Sequence, residues 1–438
     1  MLTSDMVRIP HLARKASLPA ILCLVAAACA AQTRFSTSPT RFLVCDRGNG
    51  SFEGKLPDFA SHASVTVSVR ATKRTGFAVR GCEAKLTWGG GETLIASEAA
   101  QADIDVMGAD LGFGVPVVAF QIKVTDADPT IKYEIYSLNK PSKLLRTITG
   151  QDYFSAADTR LGGTVEIWTT DSAAVNGFDG LPLSAFEMPP TTVLRFEDEK
   201  LMDVSSEFRP HFDKQIETLH SQLSDPQLSE FKASDGRLSG EHLAPGDQPR
   251  GLLATKVKVL EIVWAYLACG REENAWDALN TMWPAVDADR VRAAITNARK
   301  RGLRSQVDGV SQLTEPLERS NGAVIYETTS SFGGYGKWAV EHARFTDTGP
   351  QQILVRLPSP NNSEHWNEEK ELELVIDEAG KVRSARMAGG TIKHVSAGLT
   401  GEPNKDWVDD AAGWKYIPAF KDGHPKAFRS KLRVLRDR

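Results

Sequence analysis

The sequence predicts a multidomain α+β protein, because its hydrophobic pattern changes period twice along 438 residues. Short runs with alternating apolar residues fill residues 33–200 and predict an all-β, sandwich-like domain. A helical period follows in residues 205–305, and residues 306–360 form a mixed connector of strands and loops. Residues 365–438 then predict a small β-β-α-β domain, in which one short helix covers a sheet.

Length and composition limit the class of protein. A chain of 438 residues is longer than one ordinary domain, and 41% hydrophobic with 25% charged residues is close to globular usage. The net charge is −4, and the two signs are interspersed. Because no basic field is present, we expect no nucleic-acid partner.

Residues 1–31 have the pattern of a signal peptide. A positively charged start precedes an apolar run at residues 18–28, which is too short for a comfortable membrane span. Residues 28–30 (Ala-Cys-Ala) fit the small-x-small cleavage rule. The sequence therefore predicts an exported, periplasmic protein. In an alternative interpretation Cys29 is lipidated and anchors the chain to a membrane, and in a third the signal stays uncleaved as an anchor.

The cysteines fit an oxidising compartment. Cys45 and Cys82 both flank strand-like runs, so we expect a disulfide between them in an exported protein. Cys269 lies in an apolar helical pattern, which predicts a buried free thiol. No closely spaced pairs of zinc ligands occur, and we expect neither a metal nor another cofactor.

The β-rich region contains several clear strand patterns and one unusual loop. The loop Ala157–Gly163 resembles the Asp-rich calcium loops of adhesion repeats, but Arg160 and Gly162 stand where carboxylates are expected. A plain turn is therefore predicted. The predicted strands are Val65–Val69, Ala84–Trp88, Pro116–Val124, Lys132–Leu138, Val165–Thr169 and Thr192–Phe196.

The helical region begins with apolar residues at helical spacing from Phe208 to Leu223, and Ser224-Asp225-Pro226 is expected to break this helix. Further helices are predicted at about 253–268, 273–282 and 288–300.

The turn between the first two of these further helices, with Tyr266, Gly270 and Ala275, resembles the central turn of a single tetratricopeptide unit at about 253–283. Because that family needs about three units, we expect a lone helical hairpin packed on its neighbour.

The C-terminal region carries a more specific pattern. A strand ends at the turn Asp377–Gly380, an aromatic segment follows around residue 414, another turn comes at residue 423, and residues 430–435 form a closing strand. In order and spacing, these elements resemble the C-terminal domain of the TonB family. The residues that carry the resemblance are Asp377, Gly380, Trp414, Tyr416, Pro418, Gly423 and Pro425.

The resemblance implies a periplasmic module that binds a short segment of an outer-membrane protein by strand addition. Energy-transducing members of the family have a membrane helix and a long proline-rich spacer, whereas folded regions replace the spacer here. A TonB-type energy transducer is therefore only an alternative. The expected protein-binding edge is the final strand, which comprises Ser430, Lys431, Leu432, Arg433, Val434 and Leu435.

The leading expectation is thus a non-enzymatic envelope protein that binds an envelope protein partner through its C-terminal domain. Neither a Gly-x-Ser-x-Gly elbow nor a His-Glu-x-x-His helix occurs, so no catalytic residue is assigned. In the other alternative the C-terminal domain is purely structural, and the β-rich domain binds a ligand or carbohydrate. Trp88, Trp168, Tyr133 and Tyr136 are the candidate stacking surfaces.

Overall fold

The computed structural model of the chain is a mixed α+β structure with six sheets and a small group of helices. This confirms the prediction that the chain is of the mixed α+β class. The structure describes residues 43–56, 65–73, 80–139, 141–238, 249–311, 325–329, 349–355, 370–387, 408 and 410–434. Within these ranges no helix is both long and apolar enough to span a bilayer.

Two antiparallel sheets form first along the chain. The four-stranded sheet has the order β2-β3-β4-β5, and the five-stranded sheet has the order β1-β6-β7-β8-β9. Their strands are β1 (Cys45–Asp46), β2 (Ser51–Lys55), β3 (Val65–Lys73), β4 (Arg80–Trp88), β5 (Gly91–Ala99), β6 (Gln101–Met107), β7 (Val117–Lys123), β8 (Ile131–Ser137) and β9 (Leu144–Gly150).

The five-stranded sheet is buried on both faces. Along β7, Val118 and Phe120 pack in a core with residues of β3 and β4. The alternate residues Val117 and Ala119 pack in a second core on the other face. Because successive side chains of a strand point to opposite faces, the central strand is apolar almost throughout. The predicted sandwich therefore has a further layer on its far side.

The predicted disulfide between Cys45 and Cys82 is present, with the two Cα atoms 6.0 Å apart. It joins β1 to β4 and thereby links the two sheets covalently. Cys269 is buried and free, as the sequence predicted.

The layer on the far side is a second five-stranded sheet. Its last strand follows the helices in sequence and pairs with β13 in parallel, so the helical segment leaves this sheet and returns to it. The strands are β10 (Ser155–Ala157), β11 (Glu166–Thr170), β12 (Thr191–Glu197), β13 (Lys200–Asp203) and β14 (Gly309–Val310).

Helix α4 is the centre of the helical part, because it is apolar and buried around most of its circumference. It ends at Gly270, whose φ of 78° suits a left-handed helix terminus. The helices are α1 (Ser172–Val175), α2 (Arg209–Ser221), α3 (Asp225–Lys232), α4 (Gly251–Ala268), α5 (Glu272–Met282) and α6 (Ala288–Arg299).

The segment Ser224-Asp225-Pro226, which was expected only to break a helix, also begins the next one. Ser224 and Gln227 form a capping box at the start of α3, and Pro226 lies in the first turn, where it costs no hydrogen bond.

The C-terminal sheet has the order β15-β22-β17-β18, and two smaller pairs, β16-β19 and β20-β21, accompany it. Its apolar core includes Leu372, Leu374 and Trp414. The strands are β15 (Tyr326–Thr329), β16 (Gln351–Leu354), β17 (Lys370–Ile376), β18 (Val382–Met387), β19 (Lys415–Ile417), β20 (Ala419–Lys421), β21 (His424–Lys426) and β22 (Phe428–Val434).

This arrangement differs from a simple β-β-α-β order, because three short strands lie between β18 and β22 and β15 joins from earlier in the chain. Val408, Asp410 and Ala411 are helical. The first part of the predicted helix, residues 403–407, lies outside the described residues.

The turn between β17 and β18 requires glycine at position 380. Gly380 has a φ of 79°, and a Cβ atom there would lie 1.8 Å from the carbonyl oxygen of Tyr416. The same glycine accepts the N–H of Tyr416 through its own carbonyl oxygen at 2.9 Å. The hairpin turn and β19 therefore touch backbone to backbone.

We expect Gly380→Ala to lower the free energy of unfolding by about 2–4 kcal/mol, since the methyl group adds both backbone strain and a clash. The matched control is Gly177→Ala, where φ is 74° and no atom lies within 4 Å of the added Cβ. Strain alone should cost about 1 kcal/mol there. Urea unfolding of both variants measures the difference, and equal losses would contradict the close approach to Tyr416.

Candidate functional site

The candidate site is the C-terminal sheet together with the buried charges that join it to strand β6. Strand β6 carries Asp103 and Asp105, and each is 1% exposed. Lys415 at the start of β19 donates to Asp103, and Lys381 beside β18 donates to Asp105. These two ion pairs link positions more than 270 residues apart in the sequence.

Each carboxylate of β6 has further donors. Asp103 accepts the N–H of Val44 at 3.0 Å. Asp105 accepts the hydroxyl of Tyr133 and the N–H of Ala156, both at 2.8 Å. Buried charges are tolerated when paired and hydrogen-bonded in this way, and removing one partner leaves the other uncompensated. The contacts therefore fix which part of the chain packs on β6.

Burial controls the titration of these groups. Burial lowers the pKa of Lys415, the charge of Asp103 offsets part of that effect, and the charge of Lys381 adds to it. Burial also raises the pKa of Tyr133 well above its usual value, and the neighbouring Asp105 carboxylate raises it further. The Tyr133 hydroxyl therefore remains a hydrogen-bond donor at all physiological pH values.

Asp377 provides a third contact of the C-terminal sheet. Its Oδ1 accepts the N–H groups of Ala379 and Lys381, each at 2.9 Å, within the hairpin turn. Its Oδ2 accepts the N–H of Asp158 at 2.9 Å, on the loop after β10. Burial raises the pKa of Asp377 to about 7, although the charge of Arg383 opposes this shift. Near neutral pH this carboxyl group is therefore close to half-protonated.

The loop Ala157–Gly163 is a turn closed by its own aspartate, as predicted. Asp158 accepts the N–H groups of Gly162 at 3.0 Å and Gly163 at 2.7 Å. Arg160 pairs with Glu166 at 2.8 Å. Among the described residues no group of three or more metal-ligating side chains converges.

The remaining residues that carry the resemblance to the TonB family lie in the core, in a turn or in the short strands of the C-terminal region. Trp414 and Tyr416 are 0% and 4% exposed in the core of the C-terminal sheet. Pro418 separates β19 from β20. Gly423, with a φ of 79°, forms the turn between β20 and β21. Pro425 of β21 lies opposite Phe420.

The prediction that the final strand is a sheet edge is wrong for Ser430 and Lys431. Strand β22 pairs with β17 on one side, and on the other side β15 pairs in parallel with Phe428–Lys431. Residues 432–434 pair with β17, and Leu435 lies outside the described residues. Within the described strands the sheet ends at β15 and β18.

The proposed stacking surfaces of the β-rich region are mostly core residues. Tyr133, Trp168 and Tyr136 are 0%, 6% and 8% exposed. Trp168 packs edge-on against Phe208, with ring centroids 5.0 Å apart. Trp88 is partly buried against the core between the first two sheets. The first three side chains are therefore not available to stack on a carbohydrate.

Comparison of the chain with protein-family models, curated proteins and solved structures found no match. The likeness to the TonB family therefore remains a prediction from the motif alone.

We expect Lys415→Met to destabilise the protein by about 3–5 kcal/mol, because Asp103 would remain buried without its counter-charge. The double variant Lys415→Met with Asp103→Asn removes both charges and keeps an acceptor for Val44. It should unfold at a higher urea concentration than Lys415→Met alone. Additive losses in the double variant would show that the two charges do not depend on each other.

Asp377 should also make stability depend on pH. Because its folded pKa lies near 7 and its unfolded pKa lies near 4, the folded state binds the extra proton between these values. The contribution of Asp377 to the free energy of unfolding is therefore complete below pH 4 and is lost as the pH rises through 7. We therefore expect the contribution of Asp377 to raise the melting temperature of the wild-type protein as the pH falls from 8 to 5.

The charged and titratable groups around Asp377 are Asp158, Arg383 and Lys381. Asp377→Asn should reduce the slope of melting temperature against pH, whatever its absolute stability. The exposed carboxylate of Asp225 on α3 provides the control, and Asp225→Asn should keep the wild-type slope. An unchanged slope in Asp377→Asn would rule out the assignment.

Proposed function

We propose that the chain is an exported, non-enzymatic binding protein of the bacterial envelope, whose C-terminal sheet binds an extended segment of a partner protein by strand addition. The observation that carries the proposal is the position of β18. Among the described residues β18 pairs with β17 only, and its other side has no partner strand. Such a strand offers a row of backbone donors and acceptors to another chain.

Support for export comes from two features. Residues 1–31 have the pattern of a signal peptide. The disulfide between Cys45 and Cys82 lies in a fully buried setting, and such bonds persist in oxidising compartments.

The free part of the β18 edge has a defined beginning. Lys381, just before β18, already pairs with Lys415 of the neighbouring segment. From Ser384 onward that side has no partner strand among the described residues, so an added strand would lie beside Ser384–Met387.

The edge is held rigidly, which favours binding. The hairpin of β17 and β18 is fixed to the rest of the protein by Lys381 and Asp377, both through buried contacts. A site whose backbone is already ordered loses little conformational entropy when a partner binds.

The side chains along β18 favour a particular kind of partner segment. Ala385 and Met387 pack on the core of the sheet, whereas Arg386 points outward with 71% of its side chain exposed. Arg386 pairs with Glu373 on the neighbouring strand at 2.6 Å. An acidic residue of an added strand could lie opposite Arg386 and take over this ion pair, so we expect a partner segment with an acidic side chain.

A photo-crosslinking amino acid at position 386 tests the docking edge in cells. We expect one dominant adduct with an envelope protein, and no such adduct from the same amino acid at Lys232, which is exposed on α3. Ser384→Pro and Ala385→Pro provide the second arm. In an antiparallel hairpin, one of two adjacent N–H groups points to the paired strand and the other points outward.

One of the two proline variants should therefore keep the wild-type melting temperature and lose the adduct at position 386. The proposal fails if both sites of incorporation yield the same adducts. It also fails if the proline variant that stays folded crosslinks as strongly as wild type.

A further inference from the structure

A cleft of about 540 Å³ opens where the β6–β7 loop, the β8–β9 turn and the β12–β13 turn meet. This volume lies in the range of sites for small organic ligands. The lining residues come from all three connections and from the start of β9. They are Phe113, Val115, Ser137, Asn139, Pro141, Lys143, Leu145, Arg146 and Glu199.

Phe113, Val115 and Leu145 give the cleft an apolar floor, while the larger part of its accessible lining is polar. Phe113 packs against Phe196, with ring centroids 4.4 Å apart. Val115 and Leu145 are partly buried and pack on the same core. An apolar group of a ligand would therefore be removed from water here, which is favourable in proportion to the area covered.

The loop that carries Phe113 is already ordered. The Oδ1 atom of Asp110 accepts the N–H groups of Gly112, Phe113 and Gly114 at 2.8, 2.9 and 3.1 Å. Gly112 has a φ of 100°, and a Cβ atom there would lie 2.4 Å from the carbonyl oxygen of Phe196. The aromatic ring is thus held in place without a ligand.

The opposite wall is ordered as well. The Ser137 N–H donates to the carbonyl oxygen of Lys143 at 2.8 Å, and the Lys143 N–H donates to the hydroxyl oxygen of Ser137 at 3.0 Å. The N–H of Leu138 donates to the carbonyl oxygen of Pro116 at 2.8 Å. This last bond fixes the turn to the loop that forms the floor.

Asn139 presents an acceptor that the described part of the chain leaves unused. Its Oδ1 atom is buried and receives no hydrogen bond from any described residue. A buried acceptor without a donor costs free energy, and Asn139 also lines the cleft. A ligand with an N–H group would supply the missing donor.

Of the charged residues that line the cleft, Arg146 has a counter-charge, whereas Lys143 and Glu199 have none among the described residues. Arg146 lies 3.3 Å from Asp308 and donates to the carbonyl oxygen of Gln306 at 3.0 Å. Lys143 and Glu199 are exposed, and neither forms an ion pair with another residue that the structure describes. Among its described lining residues the cleft therefore offers one cation and one anion that form no ion pair with another described residue, beside an apolar floor.

We propose that this cleft binds a short apolar peptide with free termini. The peptide ammonium group would face Glu199 and the Oδ1 atom of Asn139, its carboxylate would face Lys143, and its side chains would cover Phe113 and Leu145. A neutral oligosaccharide leaves both charges unmatched, so the charges favour a zwitterion. The proposal is independent of strand addition at β18, because the two sites share no residue.

Isothermal titration of the mature protein with the dipeptide Leu-Leu, its N-acetyl form and its C-terminal amide tests the assignment. We expect the free dipeptide to bind about fivefold more tightly than either blocked form, as a single exposed ion pair contributes at this level. Glu199→Gln should weaken the free dipeptide about fivefold and leave the N-acetyl form unchanged. Lys143→Met should weaken binding of the free dipeptide about fivefold and leave binding of the C-terminal amide unchanged.

Asn139→Ala provides a variant with a different signature. It removes an acceptor that has no donor, so the melting temperature should not fall, whereas dipeptide affinity should. Lys132→Met, at an exposed residue of β8 outside the cleft, is the matched control and should bind like wild type. Maltotriose is the neutral probe. The proposal is wrong if maltotriose binds and Leu-Leu does not, or if Glu199→Gln and Lys143→Met leave dipeptide binding unchanged.

Discussion

The buried ion pairs of β6 are the contacts on which the rest of the structure depends. Asp103 and Asp105 are each 1% exposed, and among the described residues they pair with Lys415 and Lys381, respectively. If the C-terminal sheet separated from β6, four charged groups would lose their partners in one step. The buried ion pairs therefore anchor the C-terminal sheet to the five-stranded sheet that contains β6.

The same contacts explain what the sequence could and could not predict. Apolar periodicity predicted β7, β8 and the long helix α4, because their side chains are buried in a regular pattern. Strand β6 was not predicted, although Ala102, Ile104 and Val106 alternate with Asp103 and Asp105, and nothing local shows that both carboxylates are buried. The lysines that neutralise them come from the far end of the chain, and no local signal records such a pairing.

Strand order was the second feature that local patterns could not supply. Periodicity identifies a strand and its buried face, but it does not say which strand lies beside it. The closing strand β22 was expected at the edge because it comes last, yet β15 from residues 326–329 covers one side of it. Within the described strands the outer positions belong instead to β15 and to β18, which lies in the middle of the motif.

The cleft could not be predicted for a related reason, since Asn139 and Lys143 lie in one turn and Glu199 in another, and each turn looks like an ordinary solvent-exposed loop. Asn139 and Lys143 are supported by the sheet β1-β6-β7-β8-β9, which is buried on both faces and also carries the ion pairs of β6, whereas Glu199 lies on the second five-stranded sheet. A sheet packed in this way resists deformation. Ligand binding in the cleft and strand addition at β18 should therefore proceed independently, because the two sites share no residue among those that the structure describes.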